Sequence, residues 1–337
     1  MPTPAEPGAP SRRPTGRDVA QLASVSQATV SLVFSGGEAG HRVSAATRER
    51  VLEAARGLGY RPQAAGRQLR LGRSGLVLLA VPNLQGPFFG RVLAGVQEEA
   101  ARHGLEVVVS SGWSAATLAE AATTSRFDGL LICSPDDSQL GELPPGTPAV
   151  FLDADPAAAG GAPTVEFDLA GGMAAAVDHL LTLGHRRLGR LRSTHSAHTF
   201  RVRQAAFEAA ARDLTVLELG VHLNRGESAA RAAATELLSR PDRPHAVLCD
   251  DDVVASGVYQ AAADLGLRIP QDLSVVGIDN VSIAALLTPP LTTVDLPGEQ
   301  LGRVGVAALV ARLDGHPVER RAPLATSLIV RSSTASG

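Results

Sequence analysis

Residues 18–34 read DVAQLASVSQATVSLVF, which places apolar residues at helical spacing on both sides of a short break. Ser24 and Val25 form the break, and Ser26 follows as a candidate cap for the second helix. The residues predicted to face inward are Val19, Leu22, Ala23, Val30, Val33 and Phe34. Two short helices joined by a tight turn predict a helix-turn-helix, whose second helix can enter the DNA major groove.

The flanks extend this helical head in both directions. Upstream, Thr15 and Asp18 have the spacing of a capping box, in which a hydroxyl and a carboxylate each accept from a backbone N–H at the helix start. Downstream, Ser44 is expected to cap a third helix that Gly59 ends. The inward residues of that helix are predicted to be Val51, Leu52, Ala55 and Leu58. Spacing alone also fits a generic small helical bundle.

Charge is divided unevenly along the chain. Residues 1–73 contain 11 Arg and 5 acidic residues, whereas residues 74–337 contain 20 Arg and 29 acidic residues. The chain has no Lys. A basic head on an acidic body indicates a polyanion bound at one end, with an ordinary solvated surface as the alternative.

The sequence lacks a signal for export or for a membrane. Its longest apolar stretch, residues 75–81, is too short to span a bilayer. Residues 1–14 are rich in Pro, Ala and Gly and predict a disordered tail, without the apolar core of a signal peptide. We therefore expect a cytoplasmic protein with no membrane partner. Cys133 and Cys249 lie near the ends of predicted buried strands and are expected to be inert thiols.

From residue 75 onward, apolar runs alternate with amphipathic stretches. The strand-like runs are 76–81, 105–110, 129–133, 149–153, 187–191, 246–249 and 273–278. The helix-like stretches are 88–103, 171–183, 200–212, 228–238, 253–265 and 298–313. Such alternation predicts parallel sheets with helices on both faces, which bind ligands outside the carboxyl ends of their strands.

Polar residues follow most of these predicted strands. They are Asn83, Gln85, Asp136, Asp137, Asp153, Asp250, Asp251, Asp252, Asp279 and Asn280. Each alone is an ordinary loop or cap residue, but together they predict a polar cleft. The run 250–252 could bind Mg²⁺, but three consecutive carboxylates cannot all face one ion, so a strand-end cap with a ligand contact is the favoured interpretation. We expect no metal and no cofactor.

Long ordered motifs in the head resemble those of a known family. DVAQLASVSQATVSLVF, followed at 43–62 by VSAATRERVLEAARGLGYRP, resembles the head of the LacI/GalR family of bacterial repressors, and the resemblance continues over nearly the whole chain. It implies an α+β multidomain protein with an all-α helix-turn-helix head and two α/β parallel-sheet subdomains of periplasmic-binding-protein type, joined by three crossovers. The implied segments are a head at 15–61, a hinge helix and linker at 62–74, and a body at 75–337, in which subdomain 1 spans about 75–170 plus 297–321 and subdomain 2 about 171–296 plus 322–337.

The resemblance also implies how the head meets DNA. In the family, a hinge leucine from each subunit wedges into the minor groove, and Leu69 falls at that position. The chain departs from the family at Ser24 (usually Gly), Leu32 (usually Arg), Ser35 (usually Asn) and Gly66 (usually Ala), the last weakening the hinge helix by about 1 kcal/mol. The residues expected to contact DNA are Thr15, Ser26, Gln27, Ala28, Thr29, Ser31, Leu32, Arg42, Tyr60, Gln63, Gly66 and Leu69.

In the body, the resemblance implies an effector in the cleft between the subdomains. CDDDVVASGV at 249–258 and VVGIDN at 275–280 match family motifs, and Arg203 matches the arginine of an R-x-x-G-F motif. An Arg among carboxylates suits the hydroxyls of a sugar or related polyol. Trp113 either stacks on a ligand ring or packs in the core. The expected effector-binding residues are Gln85, Phe88, Trp113, Asp153, Arg203, Asp251 and Asp279.

The predicted function is a sequence-specific DNA-binding regulator, a repressor, that is nucleoid-associated and binds a near-palindromic operator as a homodimer. A transport-linked sugar-binding protein without a DNA-binding role is the alternative. An enzyme is not expected, because the chain has no G-x-S-x-G or H-E-x-x-H motif and no phosphate-binding loop with a lysine. Ser110, His185 and Asp153 could form a catalytic triad, but neither motif accompanies them.

Overall fold

A computed structural model of the chain describes residues 14–35, 43–60, 73–124, 126–136, 139, 143–222 and 227–337. The chain divides into two compact units, the head at residues 1–74 and the body at residues 75–337. Among the described residues, no helix is long and apolar enough to cross a membrane.

The head contains the three predicted helices: α1 (Gly16–Leu22), α2 (Gln27–Ser35) and α3 (Ala45–Leu58). Their shared core is made of small apolar side chains, namely Val19, Ala20, Ala23, Val30, Val33, Val51, Ala54 and Ala55. The prediction that Leu22 faces inward is wrong, because its side chain is 58% exposed. Val19, Ala20 and Ala23 share one face of α1, and a residue one position before Ala23 falls outside that face.

Side-chain caps hold the helix ends of the head. The capping box is confirmed: the Thr15 N–H donates to Asp18 Oδ2 at 2.7 Å, and the Asp18 N–H donates to Thr15 Oγ1 at 3.4 Å. Ser26 accepts from the Thr29 N–H at 3.1 Å, as predicted for the start of α2. Ser44 caps α3, and Gly59 ends it in the left-handed region at φ 65°. These local contacts satisfy N–H groups that a helix cannot satisfy itself.

The first sheet of the body consists of six parallel strands in the order β11-β5-β4-β3-β1-β2. The strands are β1 (Leu76–Val81), β2 (Glu106–Ser111), β3 (Gly129–Cys133), β4 (Ala149–Leu152), β5 (Thr164–Phe167) and β11 (Arg321–Leu324). Its helices are α4 (Pro87–Arg102), α5 (Ala115–Thr123) and α11 (Gly298–Leu313). Side chains of β1 alternate between two apolar clusters, one containing Leu79 and the other Leu78, because successive residues of a strand point to opposite faces.

The second sheet has the order β12-β10-β9-β8-β6-β7, parallel except for the β10–β12 pair. Its strands are β6 (Arg187–Ser193), β7 (Thr215–Val221), β8 (Ala246–Cys249), β9 (Ser274–Asp279), β10 (Thr292–Asp295) and β12 (Ser327–Ile329). Its helices are α6 (Leu169–Thr182), α7 (His198–Ala210), α8 (Glu227–Leu238), α9 (Asp252–Asp264) and α10 (Ser282–Leu286). The short run 246–249 is fully buried, as expected of a strand covered on both faces.

The chain crosses three times between the sheets. It leaves the first sheet after β5, returns after β10 and leaves again between β11 and β12. The third crossing therefore lies between residues 324 and 327, a few residues later than the predicted boundary at 321/322. The reason is pairing: Arg321 to Leu324 run parallel to Thr164 to Phe167 at the edge of the first sheet.

Helix α4, which contains Phe88, packs closely against α11. A Cβ at Gly95 would lie 1.9 Å from the Glu299 carbonyl oxygen, so only glycine allows the two helix backbones to approach this closely. Cys133 and Cys249 are buried and unpaired. Burial raises the pKa of both thiols, which keeps them protonated, in line with the expectation of inert thiols.

Candidate DNA-binding face and ligand cavity

The residues expected to read DNA lie on the solvent side of α2. Ser26, Gln27, Ala28 and Ser31 are exposed, and Thr29 is half-buried. Ser26 and Thr29 also bond each other through their hydroxyls at 2.9 Å, so capping holds both oxygens near the start of the helix. Helix-turn-helix proteins contact base edges through this part of their second helix.

Leu32, the residue that departs from the family pattern, is half-buried. It is not among the described residues that form or pack against the apolar cluster of the head. Its neighbour Val33 is 3% exposed and belongs to that cluster. The two side chains therefore differ in role, and Leu32 leaves part of its apolar surface open to a partner.

The turn between α1 and α2 uses a left-handed residue. Ser24 has φ 51°, a conformation that is unfavourable for residues with a Cβ and free for glycine. This geometry gives a physical reason for the glycine that the family usually has at this position. Tyr60 packs its ring edge-on against Phe34, with the ring centres 5.8 Å apart. Four of the expected DNA contacts lie outside the described residues: Arg42, Gln63, Gly66 and Leu69.

In the body, a cavity of about 620 Å³ opens where the carboxyl ends of the strands of both sheets meet. Six of the seven residues expected to bind the effector line it: Gln85, Phe88, Asp153, Arg203, Asp251 and Asp279. The sequence thus placed the cavity at the strand ends, where parallel sheets bind ligands.

Trp113 is the exception among the expected residues. It is 5% exposed and packs with Leu118 and Ile132 in the apolar cluster on the α5 side of the first sheet. Its indole N–H donates to the Val81 carbonyl oxygen at 3.1 Å. The stacking interpretation is therefore corrected to core packing, because a buried ring whose N–H already has a backbone partner offers no face to a ligand.

Arg203 of α7 is the buried cation of the cavity. Its Nη2 donates to Asp279 Oδ1 at 3.0 Å, and its Nη1 donates to the Asp250 carbonyl oxygen. The guanidinium carbon lies 5.1 Å from the centre of the Phe200 ring. Among the described residues, the buried Nε has no hydrogen-bond partner. Arg203 thus ties two strand ends of the second sheet together, and its Nε–H remains available to a ligand.

Three carboxylates share the cavity with Arg203. Burial raises the pKa of Asp153, although Arg203 and the Ser134 hydroxyl, which donates at 2.9 Å, oppose the rise. Burial also raises the pKa of Asp251, whose side chain accepts from the Val254 N–H and so caps α9. For Asp279, burial raises the pKa to about 7, with Arg203 opposing. Removing a carboxylate from water favours its protonated form.

The aspartates at 250–252 point to three different sets of partners. Asp250 accepts from Arg190 at 2.7 Å and from the Ser193 N–H at 2.8 Å. Asp252 accepts from the Val281 N–H and from the Thr293 hydroxyl, whereas Asp251 caps α9. No cluster of metal-binding side chains occurs within the described ranges. The run acts as three separate anchors of the second sheet.

Several residues around the cavity escaped the sequence analysis. Arg190 is fully buried, and its guanidinium carbon lies 4.1 Å from the centre of the Phe207 ring. Its position inside the predicted strand 187–191 was a signal. Arg91 of α4 donates to the Asp279 carbonyl oxygen at 2.7 Å and to Asp295 at 3.2 Å, which joins the two halves of the cavity. No local pattern marks Arg91, because its partners lie about 190 residues later in the chain.

A helix-turn-helix head in one chain with a two-sheet body that encloses a polar cavity defines a ligand-responsive DNA-binding regulator. Residues 15–63 match the family described as bacterial regulatory proteins, lacI family, and residues 177–334 match the periplasmic binding protein-like domain. The HTH-type transcriptional repressor CytR of Escherichia coli (strain K12) is 32% identical over 331 residues, covering 95% of this chain and 96% of that protein. The chain therefore belongs to the lacI family of bacterial regulatory proteins.

Other relatives agree in both sequence and structure. The ribose operon repressor of Haemophilus influenzae is 31% identical over 308 residues, covering 89% of this chain and 92% of that protein. The crystal structure of the lac repressor dimer bound to operator and the anti-inducer ONPF matches with a TM-score of 0.81 at 28% identity, covering 96% of this chain and all of that chain. The chain is a transcription regulator with a DNA-binding head and an effector-binding body, and the transport-protein alternative is not favoured. The relatives named here are repressors rather than enzymes.

Proposed function

We propose that the protein represses transcription by binding a near-palindromic operator as a homodimer, and that a small sugar or related polyol in the cavity controls this binding. The observation that carries the proposal is the set of Arg203 and three carboxylates at the strand ends of a body that follows a helix-turn-helix head. Repression would place the protein on the nucleoid.

The exposed side of α2 supports the first part of the proposal. Gln27 and Ser31 supply donors and acceptors for base edges, and Leu32 supplies an apolar contact that suits a thymine methyl. Thr15 and Tyr60 lie at the start of α1 and just after α3, where they are proposed to contact phosphates. One head covers one half-site, so a palindromic operator requires two heads.

The cavity supports the second part. Carboxylates accept hydrogen bonds from neighbouring hydroxyls, and an Arg donates to ring or hydroxyl oxygens. Asp153, Asp251, Asp279 and Arg203 are proposed to bind these groups, with Gln85 and Phe88 at the other side of the cavity. A sugar presents both hydroxyl groups and an apolar ring face, which matches a cavity with charged and aromatic residues.

The geometry also supports a protein without catalytic activity. Ser110 lies on edge strand β2, whereas Asp153 accepts from Ser134. His185 bonds Ser274 and the Ala335 carbonyl oxygen in the second half of the body. The triad that the sequence suggested is therefore not assembled, and we propose that the protein is a binding protein only.

The test is a selection from randomised duplex DNA with the purified full-length protein. We expect an enriched near-palindrome, bound with an affinity that falls steeply as salt rises, because binding releases counterions from the phosphates. A double variant, Gln27→Ala with Ser31→Ala, serves as the matched control that keeps the fold. Sedimentation with and without the selected DNA measures the dimer. Recovery of no enriched sequence, or of a monomer throughout, contradicts the proposal.

A further inference from the structure

The charge balance of the cavity is uneven. Asp153, Asp251 and Asp279 line it, while Arg203 is the one Arg or Lys among its described lining residues. Asp250, a further carboxylate close to Arg203, has its own cation in Arg190 at 2.7 Å. The described lining of the cavity therefore holds more carboxylates than cations.

The remaining titratable residue of the described lining, His195, does not correct the balance. Its Nδ1 accepts a hydrogen bond from the Ala197 N–H at 3.3 Å. Even a protonated imidazole would bring the cations of the described lining to two, against three carboxylates. Carboxylates therefore outnumber cations in the described lining whatever the charge of His195.

Arg203 itself is a poor partner for an anion. An Arg recognises phosphate or carboxylate through two parallel N–H donors. Here both terminal nitrogens already donate within the protein, to Asp279 and to the Asp250 carbonyl oxygen. The buried Nε lacks a partner among the described residues, but the charge of the guanidinium is already paired with Asp279, whose Oδ1 lies 3.0 Å from Nη2.

The lining also includes three phenylalanines: Phe88, Phe89 and Phe200. Phe88 and Phe89 pack edge-on with ring centres 5.6 Å apart. They come from the start of α4, whereas the carboxylates other than Asp153 come from the second half of the body. A ligand that spans the cavity therefore meets the rings of Phe88 and Phe89 on one side and the acceptors Asp251 and Asp279 on the other.

We infer that the effector carries no phosphate or carboxylate group and is an uncharged or positively charged ring compound rich in hydroxyl or amino donors. The donors bind the carboxylates of Asp153, Asp251 and Asp279, one acceptor faces Arg203 Nε, and an apolar face lies against the phenylalanines. Sugar phosphates, nucleotides and sugar acids are excluded because they would bring an anion among three carboxylates. This inference rests on the proposed role of the cavity as the effector site.

The test uses matched pairs of probes that differ in one charged group. They are glucose, glucosamine and glucose 6-phosphate, ribose and ribose 5-phosphate, and each ribonucleoside with its monophosphate, together with a bacterial metabolite extract. The full-length protein is equilibrated with each set of matched probes or with the extract, and is then separated from unbound compounds and denatured. The released compounds are identified by mass spectrometry. Arg203→Ala is processed in parallel to measure retention outside the cavity.

We expect the retained compound to lack an anionic group. The amount retained should exceed that of its phosphorylated counterpart by about tenfold or more. Equal or greater retention of the phosphorylated member overturns the inference on charge and leaves the cavity as the effector site. Retention of nothing beyond the Arg203→Ala control contradicts the proposed function of the cavity and, with it, this inference.

A charge variant sharpens the result. Asp153→Asn with Asp251→Asn removes two of the three carboxylates and keeps the side-chain volumes. The preference for the uncharged member over its phosphate ester should fall by about tenfold. The matched control is Asp272→Asn, at a partly exposed aspartate that pairs with Arg268 away from the lining. An unchanged preference in the double variant shows that the carboxylates do not select against anions, and overturns the inference.

Discussion

The DNA-reading helix and the ligand cavity are built in opposite ways. On α2, the candidate residues Gln27, Ala28 and Ser31 are exposed, neighbours in sequence and above a core of small apolar side chains. In the cavity, Arg203 and Asp279 are buried, ionisable and 76 residues apart. The first surface depends on one helix, whereas the second depends on strand ends brought together by the whole body.

This difference has a consequence for stability. Exposed side chains can change with little effect on folding, usually within about 0.5 kcal/mol. Buried charges cannot, because a charge that loses its partner remains without water. We therefore expect substitutions of the DNA-reading residues in the head to change recognition with little effect on stability. Substitutions of the buried cavity residues should affect both ligand binding and stability.

The largest effect is expected at Arg190. Arg190→Ala leaves Asp250 buried without its cation and should lower the free energy of unfolding by about 3–5 kcal/mol. Chemical denaturation monitored by circular dichroism measures this change. The matched control is Arg192→Ala on the same strand, whose pair with Glu218 is partly exposed and should contribute about 1 kcal/mol or less. Equal effects of the two variants would show that burial does not govern these pairs.

Arg203→Ala should weaken effector binding by about 2–5 kcal/mol while the selected operator is still bound. The change removes a buried donor and leaves three carboxylates without a cation. Calorimetry with the retained compound and a DNA-binding assay measure the two properties. Arg201→Ala, on the same helix but exposed, is the control. A variant that responds at the wild-type effector concentration refutes the assignment of Arg203.

Asp279 should make the stability of the ligand-free body depend on pH. Because its folded pKa is raised to about 7, the folded protein keeps a proton that the unfolded chain loses near its ordinary pKa of about 4. The contribution of this group is therefore largest below about pH 4 and is lost as pH rises towards 7, with a slope of at most about 1.4 kcal/mol per unit. Denaturation of wild type and Asp279→Asn between about pH 5 and 8 compares the slopes. Identical slopes contradict this prediction.

Leu32→Arg tests the head. If Leu32 contacts bases, the variant should change base preference at one position of each half-site, by about 1–3 kcal/mol, because Arg can bind guanine in a bidentate manner. The melting temperature should stay nearly unchanged, since Leu32 lies outside the apolar cluster. Parallel DNA selections and thermal melts of both proteins separate the outcomes. Identical selected sites with a lower melting temperature would make Leu32 a packing residue.

The smallest effect is expected at Ser24. Ser24→Gly relieves a left-handed backbone at φ 51° but adds freedom to the unfolded chain, so the gain in stability should be about 1 kcal/mol or less. Ser24→Ala keeps the Cβ and serves as the control. Thermal melts of the three proteins measure the difference. A Gly variant no more stable than the Ala variant shows that the turn stores no strain.

Most of the head was predictable because its signals are local. Thr15, Ser26 and Ser44 act within three residues of the N–H groups that they cap. The prediction for Leu22 was wrong, because apolar spacing in a short helix does not show which of two adjacent faces packs against the core. In the body, fully buried strands such as β3 were predicted, whereas the short strands β5 and β10 and the half-exposed edge strand β7 were not.

The sequence by itself determined the helix-turn-helix, the alternation of strands and helices, and the position of a polar cavity at the strand ends, because these depend on spacing within one element and on a rule common to parallel sheets. Only the tertiary structure decided which polar residue pairs with which. Arg190 forms an ion pair with Asp250, Arg203 forms one with Asp279, and Trp113 packs in an apolar cluster of the core. Burial is the physical reason: pairing of a charge removed from water depends on distances between strands distant in sequence, and no local pattern records those distances.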